Sequence, residues 1–138
     1  MARRSVVEAG ASVAVWRGGA VVARASGRGI GPLLALLDAR KLCGAVVCDK
    51  VVGRAAAAIC VAGGAQKVCA DLMSAPAAAF LKAHGVPSEA ARLVPQIDNR
   101  DRTGPCPMEG AVRDLEDPAE MVGAIRQKLE ELKKGSMK

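Results

Sequence analysis

The stretch from Gly44 to Gly64, GAVVCDKVVGRAAAAICVAGG, constrains this chain more than any other. It opens with Ala45 to Cys48, a short apolar run without polar alternation, the pattern of a buried strand in a parallel sheet. Val51 to Val61 then reads as a helix that stops at Gly63-Gly64, with Asp49 placed to cap its start. Ala55 to Ala58 keep that helix narrow, so it can approach a sheet or a ligand closely. A strand that feeds directly into a helix of this kind is the unit from which α/β domains are built.

The flanking sequence repeats the alternation. Ser12 to Trp16 and Ala20 to Ser26 are β-branched-rich runs joined by Arg17-Gly18-Gly19, a hairpin signal. Gly27-Arg28-Gly29-Ile30-Gly31-Pro32 leads into Leu33, Leu34, Leu36 and Leu37 at helical spacing, with Pro32 in the first turn. After the alanine helix, Lys67 to Met73 reads as a strand, and Ser74 caps a helix from Ala75 to His84 that ends at Gly85. Leu93 to Ile97 reads as a further strand, and Pro95 within it points to a sheet edge. Pro107 to Leu115 makes a short helix, and Asp117-Pro118-Ala119-Glu120 starts the last one. In that last helix, over residues 117–134, Met121, Val122, Ile125, Leu129 and Leu132 share one face. It therefore packs on the domain or on a partner subunit, which makes a homo-oligomer one expectation. The order β-β-α-β-α-β-α-β-α-α over residues 1–138 implies a single α/β domain with a mixed, mostly parallel sheet.

Composition narrows the partners. The chain has 138 residues, 51% hydrophobic and 25% charged, enough apolar material for a core and too much for a disordered tail. No apolar run approaches the ~20 residues of a membrane span, and the N-terminal residues carry no signal-peptide pattern, so a cytoplasmic location is expected. The net charge of +6 suits an anionic ligand. One Trp, one Phe and no Tyr give no stacking platform for bases, which argues against nucleic acid as the partner. The five cysteines fall at irregular spacings without a C-x-x-C pair, as expected of free thiols. Cys43, Cys48, Cys60 and Cys69 stand in apolar stretches, where cysteine behaves as a small hydrophobe. Cys106 alone stands in a polar, Pro/Gly-rich setting.

Three constellations could carry chemistry. In GRGIGP, Gly29 lets the backbone approach a phosphate and Arg28 adds charge, although the spacing matches neither a dinucleotide fold nor a P-loop. In Asp49-Lys50-Val51-Val52-Gly53-Arg54, a strand ends and a helix begins, the place where ligands collect on open α/β sheets. Gly53 in a first helical turn would cost roughly 1 kcal/mol relative to alanine, which suggests a close approach there. The third is Asn99 to Glu109, NRDRTGPCPME. Cys106 precedes Pro107 and fits an N-cap, where the helix dipole favours thiolate, and Arg100, Arg102 and Glu109 modulate its charge. The single histidine, His84, sits at a helix end, where a capping role suffices. The zinc-deaminase motifs H-x-E and P-C-x-x-C are both broken: His84 is followed by Gly85-Val86, and Pro105-Cys106 continues as Pro107-Met108-Glu109. No metal and no cofactor is expected.

Arg28 to Leu34, GAVVCDKVVGRAAA at 44–57, Leu93-Val94-Pro95 and NRDRTGPCPME at 99–109 together resemble a small prokaryotic family of unassigned function with a cytidine-deaminase-like fold. The resemblance spans about residues 12 to 115. It implies a three-layer α/β sandwich with helices on both faces of the sheet, and it implies no activity, because the metal ligands are missing.

The reading that follows is a metal-free deaminase-like domain that binds a small anionic ligand, a nucleotide or a related phosphate compound. Asp49, Lys50, Gly53 and Arg54 would form one wall, with Arg28 and Gly29 beside it, and Asn99, Arg100, Asp101, Thr103 and Cys106 would form the other. A thiol enzyme or sulfur carrier is the rival, with Cys106 as nucleophile and Glu109 or Asp101 handling protons; Asp49 and Lys50 are the remaining candidates for catalysis. A third reading is an interaction module without chemistry, pairing subunits through the last helix.

Overall fold

The computed structural model describes residues 13–25, 30–95, 111–112 and 114–136. Strand β1 (Val13–Arg17) and strand β2 (Ala20–Ala25) form the expected hairpin, and Gly18 and Gly19 both take positive φ in its turn. Helix α1 (Gly31–Asp38) starts with Pro32 in its first turn. Strand β3 (Val46–Val52) leads to helix α2 (Arg54–Ala62), and strand β4 (Lys67–Ser74) to helix α3 (Ala75–Ala83). Strand β5 (Ser88–Val94) and helix α4 (Pro118–Ser136) complete the described elements. The result is an α/β fold with a five-stranded mixed sheet and four helices among the described residues. Among the same residues no helix is long and apolar enough to cross a membrane.

The sheet order is β2-β1-β3-β4-β5. β1 pairs antiparallel with both β2 and β3, whereas β3-β4 and β4-β5 are parallel. Four strands therefore run one way, with β1 alone opposed, so the sheet has as many antiparallel pairings as parallel ones. The crossovers through α1, α2 and α3 all step in the same direction across the sheet. Right-handed connections place such helices on one face. Packing agrees: residues of all four helices join Val13, Val15, Val47, Val68 and Ala70 in one apolar cluster. On the opposite face, Ala14, Cys48 and Cys69 form a second, smaller cluster with Trp16 and Val46, and no described helical residue belongs to it. The expectation of helices on both faces is therefore not met among the described residues.

Helix α2 lies at the centre. Ala55 through Cys60 are all buried, so the helix is covered all round rather than on one stripe. It packs against α4, α3 and α1 as well as the sheet. On α4, Met121 and Ile125 are fully buried, so this helix packs on its own domain. Asp117 caps it, with Oδ2 accepting from the Glu120 N–H at 3.0 Å, and Arg126 ties it to Asp38 at the end of α1. Ser74 caps α3 as expected, its Oγ accepting from the Ala77 N–H at 3.1 Å.

Two boundaries differ from the sequence reading. Val51 and Val52 continue β3, in register with Leu72 and Met73, instead of opening the helix. Their β-branched side chains favour the pleat, and parallel pairing with β4 decides the matter. Strand β5 begins at Ser88 rather than Leu93, and Pro95 follows its end. Ser88 to Arg92 contain no β-branched or aromatic residue, so β4 rather than local propensity makes them a strand. β5 does lie at the sheet edge. Of the short helix expected at 107–115, residues 111–112 are helical and Leu115 is not; 107–110 and 113 lie outside the described residues.

Gly63, at the C-terminal end of α2, has an ordinary φ of −80°, yet an added Cβ would lie 2.8 Å from the Leu42 side chain. Leu42 is fully buried and has no room to retreat. Gly63→Ala should therefore destabilise by about 1–3 kcal/mol through overpacking alone. Urea unfolding checks this; an unchanged midpoint would show that α2 does not press on Leu42.

Candidate functional site

Asp49 does not cap α2. It stands within β3, opposite Val13 on one side and Ala70 on the other, and so shares their face beneath the helices. Its Oδ1 accepts the Lys50 N–H at 2.8 Å, so the side chain folds back on its own strand. Although the residue keeps some exposure, its carboxyl group is enclosed, and burial pushes its pKa up to about 7 against the opposing pull of the Lys50 and Val51 N–H groups. Cys60, fully enclosed on α2, is pushed up by burial first and by the Asp49 charge second. Lys50 and Val51 are exposed at the end of the strand, and Val52 is buried again.

Gly53 is the N-cap of α2, in an extended conformation with φ −97° and ψ −175°. It lies before the helix rather than inside it, so the expected penalty for a helical glycine does not arise. The backbone there is one that any residue adopts. As a cap, Gly53 offers no side-chain acceptor to the first turn.

Arg54 is turned inward. Its side chain is 13% exposed, its guanidinium donates to the Val112 carbonyl, and Nη2 lies 3.1 Å from Glu116 Oε1. The same guanidinium sits 5.3 Å from the centroid of Phe80, a cation–π contact, and Phe80 in turn packs on His84 at 4.4 Å. Arg54 thus ties the segment before α4 to the head of α2 and to Phe80 in the second half of α3. No residue-type motif announces this clamp, because its partners are 26 and more residues away. His84 is the C-cap of α3, in keeping with a capping role.

The four parallel strands deliver their carboxyl ends to one edge of the sheet. There stand Ala25 at the end of β2, Asp49 to Val52 of β3, Ser74 at the end of β4 and Val94 of β5, together with the starts of α2 and α3. Of the expected site, Asp49, Lys50, Gly53 and Arg54 fall in this region. Arg28, Gly29, Asn99, Arg100, Asp101, Arg102, Thr103, Cys106 and Glu109 lie outside the described residues. Among the described residues no group of three or more His, Cys, Asp or Glu is arranged to hold a metal ion.

The family model described as TM1506, domain of unknown function (DUF1893), matches residues 2–129. The chain belongs to the DUF1893 family. The crystal structure of a DUF1893 family protein (TM1506) from Thermotoga maritima is similar to it, with a TM-score of 0.83 and 24% identity over 91% of this chain and 85% of that one. At that identity the likeness speaks for the fold. No curated protein matches the chain.

In this DUF1893 chain the cysteines divide by environment. Cys48, Cys60 and Cys69 are buried, as their apolar surroundings imply, but Cys43 is exposed. It sits in the turn before β3, where its carbonyl accepts from the Arg17 guanidinium at 2.8 Å. The apolar run begins only after Gly44, whose positive φ of 66° marks the turn, so Cys43 lies outside it.

The Asp49 shift sets a pH dependence. Its folded-state pKa lies above the unfolded one, so between about pH 4 and pH 7 the native chain holds a proton that the unfolded chain has lost. Stability therefore falls as pH rises through that window, by up to roughly 4 kcal/mol for a shift of about three pH units. Asp49→Asn keeps an acceptor for the Lys50 N–H and removes the titration, so the variant should be the more stable protein at pH 8 and show a flatter profile. Parallel wild-type and Asp49→Asn profiles from pH 4 to 8 in urea melts would contradict the burial of this carboxyl.

Proposed function

We propose that this chain is a cytidine-deaminase-like domain, lacking the deaminase zinc motifs, that binds a small anionic ligand of the nucleotide or phosphate-ester class. The observation that carries the reading is the shared edge described above. The four co-directional strands β2, β3, β4 and β5 end there, and α2 and α3 begin there. Ligands of open α/β sheets gather at the carboxyl ends of the strands, and helix N-termini turn N–H groups and a positive dipole end toward an anion. Exposed Lys50 supplies a mobile cation at the rim. Asp49 stands beside it in β3, its enclosed carboxyl bonded to the Lys50 N–H of its own strand. Gly53 keeps the head of α2 free of a side-chain cap. Arg54 serves this site indirectly, by holding the segment before α4 against α2. The expected contributions of Arg28 and Gly29, and of Asn99, Arg100, Asp101, Thr103, Cys106 and Glu109, belong to the same proposal. Ala25 and Pro95, the last described residues before those two segments, stand at this edge.

Thermal melts and calorimetry with nucleoside mono-, di- and triphosphates and with inorganic phosphate test the reading. A ligand at about a hundred times its Kd should stabilise by about 2.7 kcal/mol, a rise of a few degrees in Tm for a domain of this size. Lys50→Ala should weaken that response and leave the Tm of the ligand-free protein unchanged. Absence of a response to every phosphate compound, with Lys50→Ala indifferent, would overturn it.

A further inference from the structure

The geometry points to a two-coordinate copper(I) site formed by Cys48 and Cys69 on the sheet face opposite the helices. The two residues are register partners on the parallel strands β3 and β4 and belong to the same small cluster on that face. The same row continues to Glu89 of β5, whose Oε2 lies 4.0 Å from Cys69 Sγ, while its Oε1 lies 3.5 Å from Lys67 Nζ. Ala14 of β1 completes the row on the other side, and Trp16 and Val46 enclose the pair in the second apolar cluster. Cys48 is fully buried and Cys69 is 5% exposed.

This arrangement selects by coordination number and softness. Zinc requires three or four ligands, and no group of three or more His, Cys, Asp or Glu fit to hold a metal ion exists among the described residues. Two thiolates suffice for a soft monovalent d10 ion, and thiolate is the ligand type that selects copper(I) over harder ions. A linear S–metal–S unit spans roughly twice a metal–thiolate bond of ~2.3 Å. That span matches the ~4.8 Å between neighbouring strands, so residues in register on one face start their side chains at about the separation such a unit needs. Binding breaks two S–H bonds and forms two S–Cu bonds. The two protons leave to solvent, with the exposed Glu89 carboxylate as first acceptor beside Cys69, and no electron is transferred because copper enters as Cu(I). Lys67 offsets the negative charge left on the bis-thiolate. The site lies on the other face of β3 from Asp49, so it stands or falls independently of the anion-binding reading.

The test loads the reduced full-length chain anaerobically with copper(I) and challenges it with the copper(I) chelator bathocuproine disulfonate. The wild-type chain should retain one copper per chain, and Cys43→Ser should retain the same. Cys48→Ser and Cys69→Ser should lose it, and zinc offered in place of copper should be removed by a chelator at once. X-ray absorption on the wild-type chain keeps the test decisive where a serine variant fails to fold: two sulfur neighbours support the site. Three or more neighbours, no retained copper, or full retention by folded Cys48→Ser and Cys69→Ser would overturn it.

Discussion

Everything else in the fold is arranged around the burial of α2 on all sides. A helix usually has a polar face to give to water, and this one has none from Ala55 to Cys60. Four consecutive alanines make that possible, because their methyl groups let the sheet, α3 and α4 approach the backbone closely without leaving voids. The same choice makes the centre of the molecule intolerant of added volume, as the contact between Gly63 and Leu42 illustrates at the helix end. The single charged residue of the helix, Arg54, stands at its head. It is accommodated there by a carbonyl, a carboxylate and an aromatic face together, which a buried guanidinium needs.

Strand β3 distributes chemistry to both faces of the sheet through its period of two. Val47 and Asp49 look toward the helices, and Cys48 between them looks away. A central strand flanked by β1 and β4 would ordinarily be aliphatic throughout. Here it carries an enclosed carboxylic acid on one face and half of a dithiol on the other, in adjacent positions. The carboxyl is tolerated because the strand's own N–H groups bond to it, and the thiols because sulfur is nearly as apolar as a methyl group.

Much of this architecture is legible in the sequence, and the misreadings have physical causes. The hairpin glycines, Pro32 and Gly85 act through their own backbone preferences, and Ser74 and Asp117 through side-chain caps three residues long, so local reading places them correctly. Val51 and Val52 are ambiguous by local pattern, since a valine pair before a glycine fits either a strand end or a helix start, and only pairing with Leu72 and Met73 separates the two. The same uncertainty misplaced Asp49, which looked like a cap and is a strand residue. Ser88 to Arg92 became a strand by tertiary pairing against weak propensity. Arg54 was legible as a site residue only by position. Its clamp depends on Phe80, Val112 and Glu116, which sequence spacing does not connect. The cysteine row was visible as buried thiols but not as a pair, because register between β3 and β4 cannot be read from either strand alone.

Native-state hydrogen exchange tests the central role of α2 most directly. If the helix is enclosed by the sheet, α3 and α4, the amides of Ala57 to Cys60 should exchange only through global unfolding, with an opening free energy equal to that from urea denaturation. The amides of β5 at the sheet edge should open more easily. Faster exchange in α2 than in β5 would show that the helix opens locally, and would contradict the account.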